Sequence, residues 1–261
     1  MPELPDVEHF RQYLGRHAVG ARIDRVVTTD EGILRNVSPP GLDRSLRGHR
    51  FEEPNRHGKW LVAWTTGPAV LIHFGMTGGF GWSPGPEGRH RHDRVIFETD
   101  RGELRYRNMR KLGGLWLAHD REEVHRLLAP LGPDALDASP GDLRAALDSH
   151  RGQVKAALMN QTIMAGVGNL AADEALWEAR IHPSRRLDEL DEAERRRLER
   201  SVRRVLRTWI DRFDDLPQGW LLPVRGRRDA ACPRCGSPLR RTVAGGRTTY
   251  FCPVCQPYTP G

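Results

Sequence analysis

The chain has 261 residues, enough for one large domain or two modest ones with real cores, and 38% of it is apolar. No apolar run approaches the ~18 residues of a membrane span, and the start lacks the basic-then-apolar pattern of a secretion signal, so a soluble cytoplasmic protein is expected. The formal charge is +7 and unevenly placed: from Arg225 onward seven arginines face one acid, Asp229, which points to a polyanion such as nucleic acid.

The chain opens Met1-Pro2-Glu3-Leu4-Pro5-Asp6-Val7-Glu8. Removal of Met1 would leave Pro2 as a free secondary amine. An α-amino group titrates near ~8, about two units below lysine, so part of it is unprotonated at neutral pH and competent to attack a carbonyl carbon. A secondary amine then gives a permanently cationic iminium, and Glu3 offers an acid or base beside it.

Residues 5–17 place Val7, Phe10 and Leu14 on one helical face, with Pro5 in the first turn. From about residue 20 to residue 118 the chain reads as short β-like runs at 23–27, 60–64, 70–74, 94–98, 104–107 and 115–118. Gly/Pro-rich pieces separate them, a pattern expected of an antiparallel sandwich. Pro130-Leu131-Gly132-Pro133 reads as a linker, and helices are expected at 141–149, 152–159, 169–179 and 190–213. The last is amphipathic, with Leu198, Val202, Val205, Trp209 and Phe213 inside and arginines outside.

The turn Ala165-Gly166-Val167-Gly168-Asn169 permits tight backbone geometry. The amides of the helix that follows suit a phosphate, and Asn169 either caps that helix or binds the anion. All four cysteines lie in the pattern Cys232-Pro-Arg-Cys235, sixteen residues, Cys252-Pro-Val-Cys255. That is the spacing of a four-thiolate zinc site. With no open ligand position, one structural Zn2+ is expected, holding a hairpin whose turn is Ala244-Gly245-Gly246-Arg247. Only Lys59, Lys111 and Lys155 among the 41 basic residues are lysines, and arginine does not replace a compact, titratable ammonium.

Taken in order, the motifs resemble the formamidopyrimidine-DNA glycosylase family (Fpg/MutM, related to Nei, endonuclease VIII). The resemblance rests on the N-terminal octapeptide, Gly58-Lys59, His73-Phe74-Gly75-Met76-Thr77-Gly78, Arg110-Lys111-Leu112-Gly113 and Leu131-Gly132-Pro133-Asp134. Ala165-Gly166-Val167-Gly168-Asn169, Ile181-His182-Pro183 and the cysteine segment complete it, and together they span almost the whole chain.

The resemblance implies an α+β multidomain fold: an N-terminal antiparallel β-sandwich (1–128), a helical helix-two-turn-helix domain (129–224) and a C-terminal zinc-bound β-hairpin (225–261). It implies a monomeric, nucleoid-associated DNA glycosylase and AP lyase of base excision repair acting on damaged double-stranded DNA. The damaged nucleotide is extruded, as chemistry on a base requires. On the resemblance, Pro2 would attack C1′ with Glu3 assisting, and the further roles follow by motif. Lys59, His73, Asn169 and Arg247 clamp phosphates. Met76, Arg110 and Leu112 form the wedge that fills the gap in the stack. Lys155 aligns near the lesion and Glu174 near the catalytic terminus, and Lys59 and Glu174 join Pro2 and Glu3 as the catalytic residues the resemblance implies.

Three positions and one segment depart from the family. Asp6 replaces a glutamate, Leu112 a phenylalanine and Arg225 a tyrosine, and the stretch from Phe213 to Cys232 is short where the family carries a longer loop over 8-oxoguanine. By the resemblance, oxidised or ring-opened purines are the default substrates, with oxidised pyrimidines or bulkier lesions next, and the short segment leaves 8-oxoguanine itself unassigned. Two rivals remain at this level: a non-catalytic damage- or DNA-structure-binding protein of the same fold, and an enzyme whose amine is Lys59 or Lys155.

Overall fold

The computed structural model describes residues 2–258. They form two compact units: one holds Pro2 and Asp6–Pro130, the other Glu3–Pro5 and the chain from Leu131 onward. The expected loss of Met1 lies outside the described residues.

Helix α1 runs from Leu4 to Ala18, its residues from Asp6 onward belonging to the first unit, where α2 (Pro39–Leu46) is capped by Ser38 with proline in its first turn. Two four-stranded antiparallel sheets form the sandwich. One has the order β1 (Ile23–Thr28), β6 (Asp93–Thr99), β7 (Gly102–Asn108), β5 (Gly78–Ser83). The other has the order β2 (Asn55–His57), β3 (Trp60–Ala63), β4 (Ala69–His73), β8 (Gly114–Ala118). The pleat sends alternate side chains to opposite faces. Val70 and Ile72 of β4 therefore join Val95, Phe97, Leu104 and Tyr106 in the inter-sheet core. Ala69 and Leu71 point the other way, under Val124 of α3 (Arg121–Leu128).

Strand β5 was not legible in advance. Its sequence Gly-Gly-Phe-Gly-Trp-Ser has poor strand propensity, yet six residues pair in register with β7, from Gly78↔Asn108 to Ser83↔Glu103. Phe80 and Trp82 pack against the inter-sheet core and give the strand its reason to form.

The second unit packs α4 (Pro140–Asp148), α5 (Val154–Met159), α6 (Asn169–Ala179) and α7 (Glu192–Asp211) around one apolar cluster. Leu198, Val202, Val205, Leu206 and Trp209 of α7 face it at helical spacing. Leu4 belongs to the same cluster, which explains why the segment Glu3–Pro5 groups here. The C-terminal hairpin, β9 (Arg240–Ala244) and β10 (Arg247–Phe251), pairs antiparallel. It closes through Gly245 and Gly246, both at positive φ (58° and 70°), the left-handed turn that hairpin twist favours.

Candidate functional site

Glu3 is a buried and tightly held carboxylate of the second unit. It is 1% exposed, and three backbone amides converge on it: Leu170 N donates to Oε1 (2.8 Å), and Gly168 N and Ala171 N donate to Oε2 (3.0 Å each). These are the orphan amides at the start of α6, where a negative charge is stabilised by both the hydrogen bonds and the helix dipole. A Cβ on Gly168 would sit 2.2 Å from Glu3 Cδ, and one on Gly166 2.4 Å from Leu4 Cδ1, so both glycines are required by the close approach. Leu4 N donates to Gly166 O (3.1 Å) and completes the strap.

This corrects the sequence reading of the turn. The amides expected to suit a phosphate are occupied by the chain's own Glu3. Asn169 does not cap α6 either: Gly168 is the cap residue, with no side-chain cap bond. The Asn169 amide instead accepts from Lys155 Nζ (2.7 Å) and donates to Thr248 O (3.2 Å).

Lys155 and Asp173 lie below it. Both are fully buried, and Nζ is 2.6 Å from Asp173 Oδ1 and 2.5 Å from Thr249 Oγ1. Burial pushes the Lys155 ammonium below its ordinary pKa, and Asp173 opposes that shift. Asp173 Oδ2 accepts from Arg225 Nε (2.7 Å) and from Tyr250 N (3.2 Å). Arg225 also donates to Thr248 O (3.0 Å) and lies over the Tyr250 ring, 5.0 Å from its centroid. The network ties β10 to α6. Arg247, the first residue of β10, is exposed at the hairpin tip.

Glu174 is also fully buried, and its two oxygens accept from Leu221 N (3.2 Å) and Leu222 N (2.8 Å). Burial pushes its carboxyl up to about 7, the amides and Arg234 pulling the other way. Its visible use is to hold the segment that follows α7.

The four cysteine Sγ atoms lie within 4.8 Å of one another, with Cys235–Cys252 at 3.5 Å and Cys232–Cys255 at 3.9 Å. A tetrahedral zinc with ~2.3 Å bonds to sulfur needs edges of about 3.8 Å, so the residues present fit the ion. Trp177 Nε1 donates to Cys232 Sγ (3.3 Å), and Arg234 stacks on the Trp177 ring at 4.0 Å. Gln256 bridges Cys252 N and Ile181 O (3.0 and 2.8 Å). The knuckles thus rest on the C-terminal end of α6.

In the first unit, Lys59 is half-buried in the tight turn joining β2 and β3, where His57 pairs with Trp60 and Gly58 takes φ 56°. His73 ends β4 opposite Trp60, its ring 5.1 Å from the indole. Burial, with Lys59 nearby, holds His73 below its usual pKa, so at neutral pH it is an uncharged donor or acceptor. Met76 follows β4, and Arg110 and Leu112 follow β7. Met76 is 39% and Leu112 54% exposed. These two loops are stitched together: Arg110 N donates to Thr77 Oγ1 (3.0 Å), Thr77 Oγ1 donates to Asn108 Oδ1 (3.2 Å), and Lys111 N donates to the same Oδ1 (2.9 Å).

Comparison with known proteins decides the family. The model of the formamidopyrimidine-DNA glycosylase N-terminal domain matches residues 1–115, that of its H2TH domain matches 131–215, and a zinc finger found in FPG and IleRS matches 231–257. The chain belongs to the formamidopyrimidine-DNA glycosylase family. The formamidopyrimidine-DNA glycosylase of Geobacter metallireducens is 39% identical over 268 residues, spanning 98% of this chain and 100% of its own. That of Symbiobacterium thermophilum is 38% identical over 285 residues, spanning 100% and 91%. Among solved structures, Lactococcus lactis Fpg (MutM) bound to N7-benzyl-Fapy-dG DNA superposes with a TM-score of 0.89 at 28% identity, over 98% of this chain and 100% of that one. The same enzyme with abasic-site DNA gives 0.88 at 28%, with the same coverage.

The family fold is thus present in full: antiparallel sandwich, helical domain and zinc-binding hairpin. Among the described residues no helix is long and apolar enough to cross a membrane. Sequence reasoning missed Asp173 as the partner of Lys155 and Arg225. Nothing local marks it, because its two basic partners are 18 residues before it and 52 after.

Proposed function

We propose that this chain is a bifunctional DNA glycosylase and AP lyase that removes damaged bases from duplex DNA through Pro2. The observation that carries the reading is the amide cradle that fixes Glu3, the residue covalently joined to Pro2. A nucleophile must be held near its target geometry, since misplacement of about 1 Å costs ~10²-fold in rate.

With Met1 removed, the Pro2 nitrogen lone pair forms a bond to C1′ of the extruded nucleoside. The C1′–base bond breaks with its electron pair on the departing base, which takes up a proton. Opening of the sugar ring, assisted by Glu3, leaves an iminium between Pro2 and C1′. The cation acidifies the C2′ proton, whose loss expels the 3′ phosphate; a second elimination expels the 5′ phosphate. Lys59, His73, Asn169 and Arg247 grip the backbone phosphates, and Met76, Arg110 and Leu112 occupy the gap in the stack. The zinc is structural and takes no part in the chemistry.

Ring-opened and oxidised purines are the substrates favoured. The relatives carry formamidopyrimidine in their names, and the Lactococcus lactis structures hold Fapy-dG or abasic-site DNA. The chain acts as a monomer on cytoplasmic, nucleoid DNA. Lys155 is a poor rival nucleophile, since its ammonium is fully buried and bonded to Asp173, Thr249 and Asn169.

Borohydride trapping on an abasic-site duplex tests the reading. A covalent adduct that peptide mass mapping places on the N-terminal residue is expected from the parent chain, and a greatly weakened one from Pro2→Gly, whose terminal amine is primary. Normal duplex binding with no adduct would favour the non-catalytic binder, and an adduct undiminished in Pro2→Gly but lost in Lys59→Met would move the amine to Lys59.

A further inference from the structure

Among the described residues, the exposed large apolar side chains are Met76, Met109, Leu112, Val243 and Val254. Scattered exposed apolar residues need no explanation, but a cluster does. Three of these five sit on the two stitched loops of the sandwich, and Met109 is as exposed as Leu112, both at 54%. Met109 lies between Asn108 and Arg110. Both are bonded to Thr77, and Thr77 directly follows Met76. Asn108 is itself fully buried, donating to Phe74 O (3.1 Å) and Tyr106 Oη (2.8 Å). A Cβ on Gly75 would lie 2.5 Å from Leu112 C, so the loops touch backbone to backbone. The base of the tip is rigid while its apolar side chains are held in water.

We propose that Met109 is a third apolar member of the DNA wedge, acting beside Met76 and Leu112 on the base stack at the lesion. The inference rests on the wedge reading given above and adds a residue that reading did not contain. Leucine at 112 supplies volume without a flat ring to stack on a base. Methionine is unbranched and polarizable and fills irregular gaps against rings. Apolar side chains inserted at a base step hold a kinked duplex open. Met109 therefore supplies contact that Leu112 lacks, and favours DNA whose stack is already interrupted.

The test uses the full chain and two duplexes of one sequence, one intact and one with a tetrahydrofuran abasic analogue. Met109→Ala is expected to lower the preference for the analogue duplex about tenfold, the scale of one half-buried methionine, and Met109→Leu to restore most of it. Peroxide footprinting needs no variant. Met109 sulfoxide should form in the free protein and on intact DNA, and be suppressed on the analogue duplex, with buried Met164 as the unreactive control. Should Met109→Ala keep the parent's preference while Met76→Ala and Leu112→Ala lose it, Met109 is a bystander and the inference is wrong. Should all three keep it, the wedge reading falls and the inference with it.

Discussion

Lys155 Nζ and Asp173 Oδ1 stand 2.6 Å apart with neither side chain exposed. A buried ion pair recovers its desolvation cost only when the remaining donors and acceptors are also met. Here Thr249 and Asn169 complete the lysine, and Arg225 and Tyr250 N complete the aspartate. The pair is thereby the joint through which the hairpin is registered on α6.

Removing one partner should therefore cost more than removing both. Asp173→Asn leaves an unpaired buried ammonium and is expected to destabilise the chain by about 3–5 kcal/mol. The double change Lys155→Met, Asp173→Leu should recover much of that loss. Urea unfolding of the single and double variants checks it; simple additivity would show that the pair is not coupled.

Glu3 is expected to matter in the absence of DNA. Truncation to alanine strips three amides, two of them buried, of their acceptor and should cost about 2 kcal/mol or more of stability. Gly168→Ala should do similar damage by driving the carboxylate out, given the 2.2 Å approach. Thermal unfolding of DNA-free protein measures both, and an unchanged Tm would mean the cradle is not formed in solution.

Glu174 gives a pH signature. Its carboxyl ionises near about 7 in the folded chain against an ordinary value of 4.5, because burial disfavours the charge. The folded state therefore holds the proton more tightly than the unfolded one. The stabilisation is complete below about 4.5 and is lost as pH rises through about 7, a span of ~3 kcal/mol. Glu174→Gln cannot titrate and loses one acceptor toward Leu221 or Leu222. It should be weaker at pH 5 yet show a flatter profile from pH 5 to pH 8. Denaturant titrations across that range decide, and parallel profiles would exclude Glu174 as the source.

Zinc removal should be visible beyond the cysteines. Trp177 donates to Cys232 Sγ and carries Arg234 on its face, so chelation should release about one zinc per chain and change tryptophan fluorescence. Trp177→Phe should abolish most of that change. Metal-free protein is expected to bind DNA more weakly, since Arg247 is presented by the hairpin. Undiminished affinity would remove the finger from the interface.

Much of this was legible along the chain. The cysteine spacing specified the metal centre because tetrahedral thiolate ligation tolerates few arrangements. Alternation and 3.6-residue periodicity located most core strands and α7, since each periodicity reflects a single buried face. Glycine-rich β5 was silent, because its pairing with β7 and the packing of Phe80 and Trp82 outweigh local propensity. The turn at 165–169 was legible as a tight turn, but what filled its amides was not. Glu3 is 165 residues from Gly168, and no local pattern encodes a contact at that separation. The same holds for Asp173 with Arg225 and for the shared support of Met76 and Met109. Sequence specified the residue types and the elements, because those follow from local sterics and burial. Tertiary structure alone decided which buried polar group satisfied which, because that choice depends on pairings the chain makes only when folded.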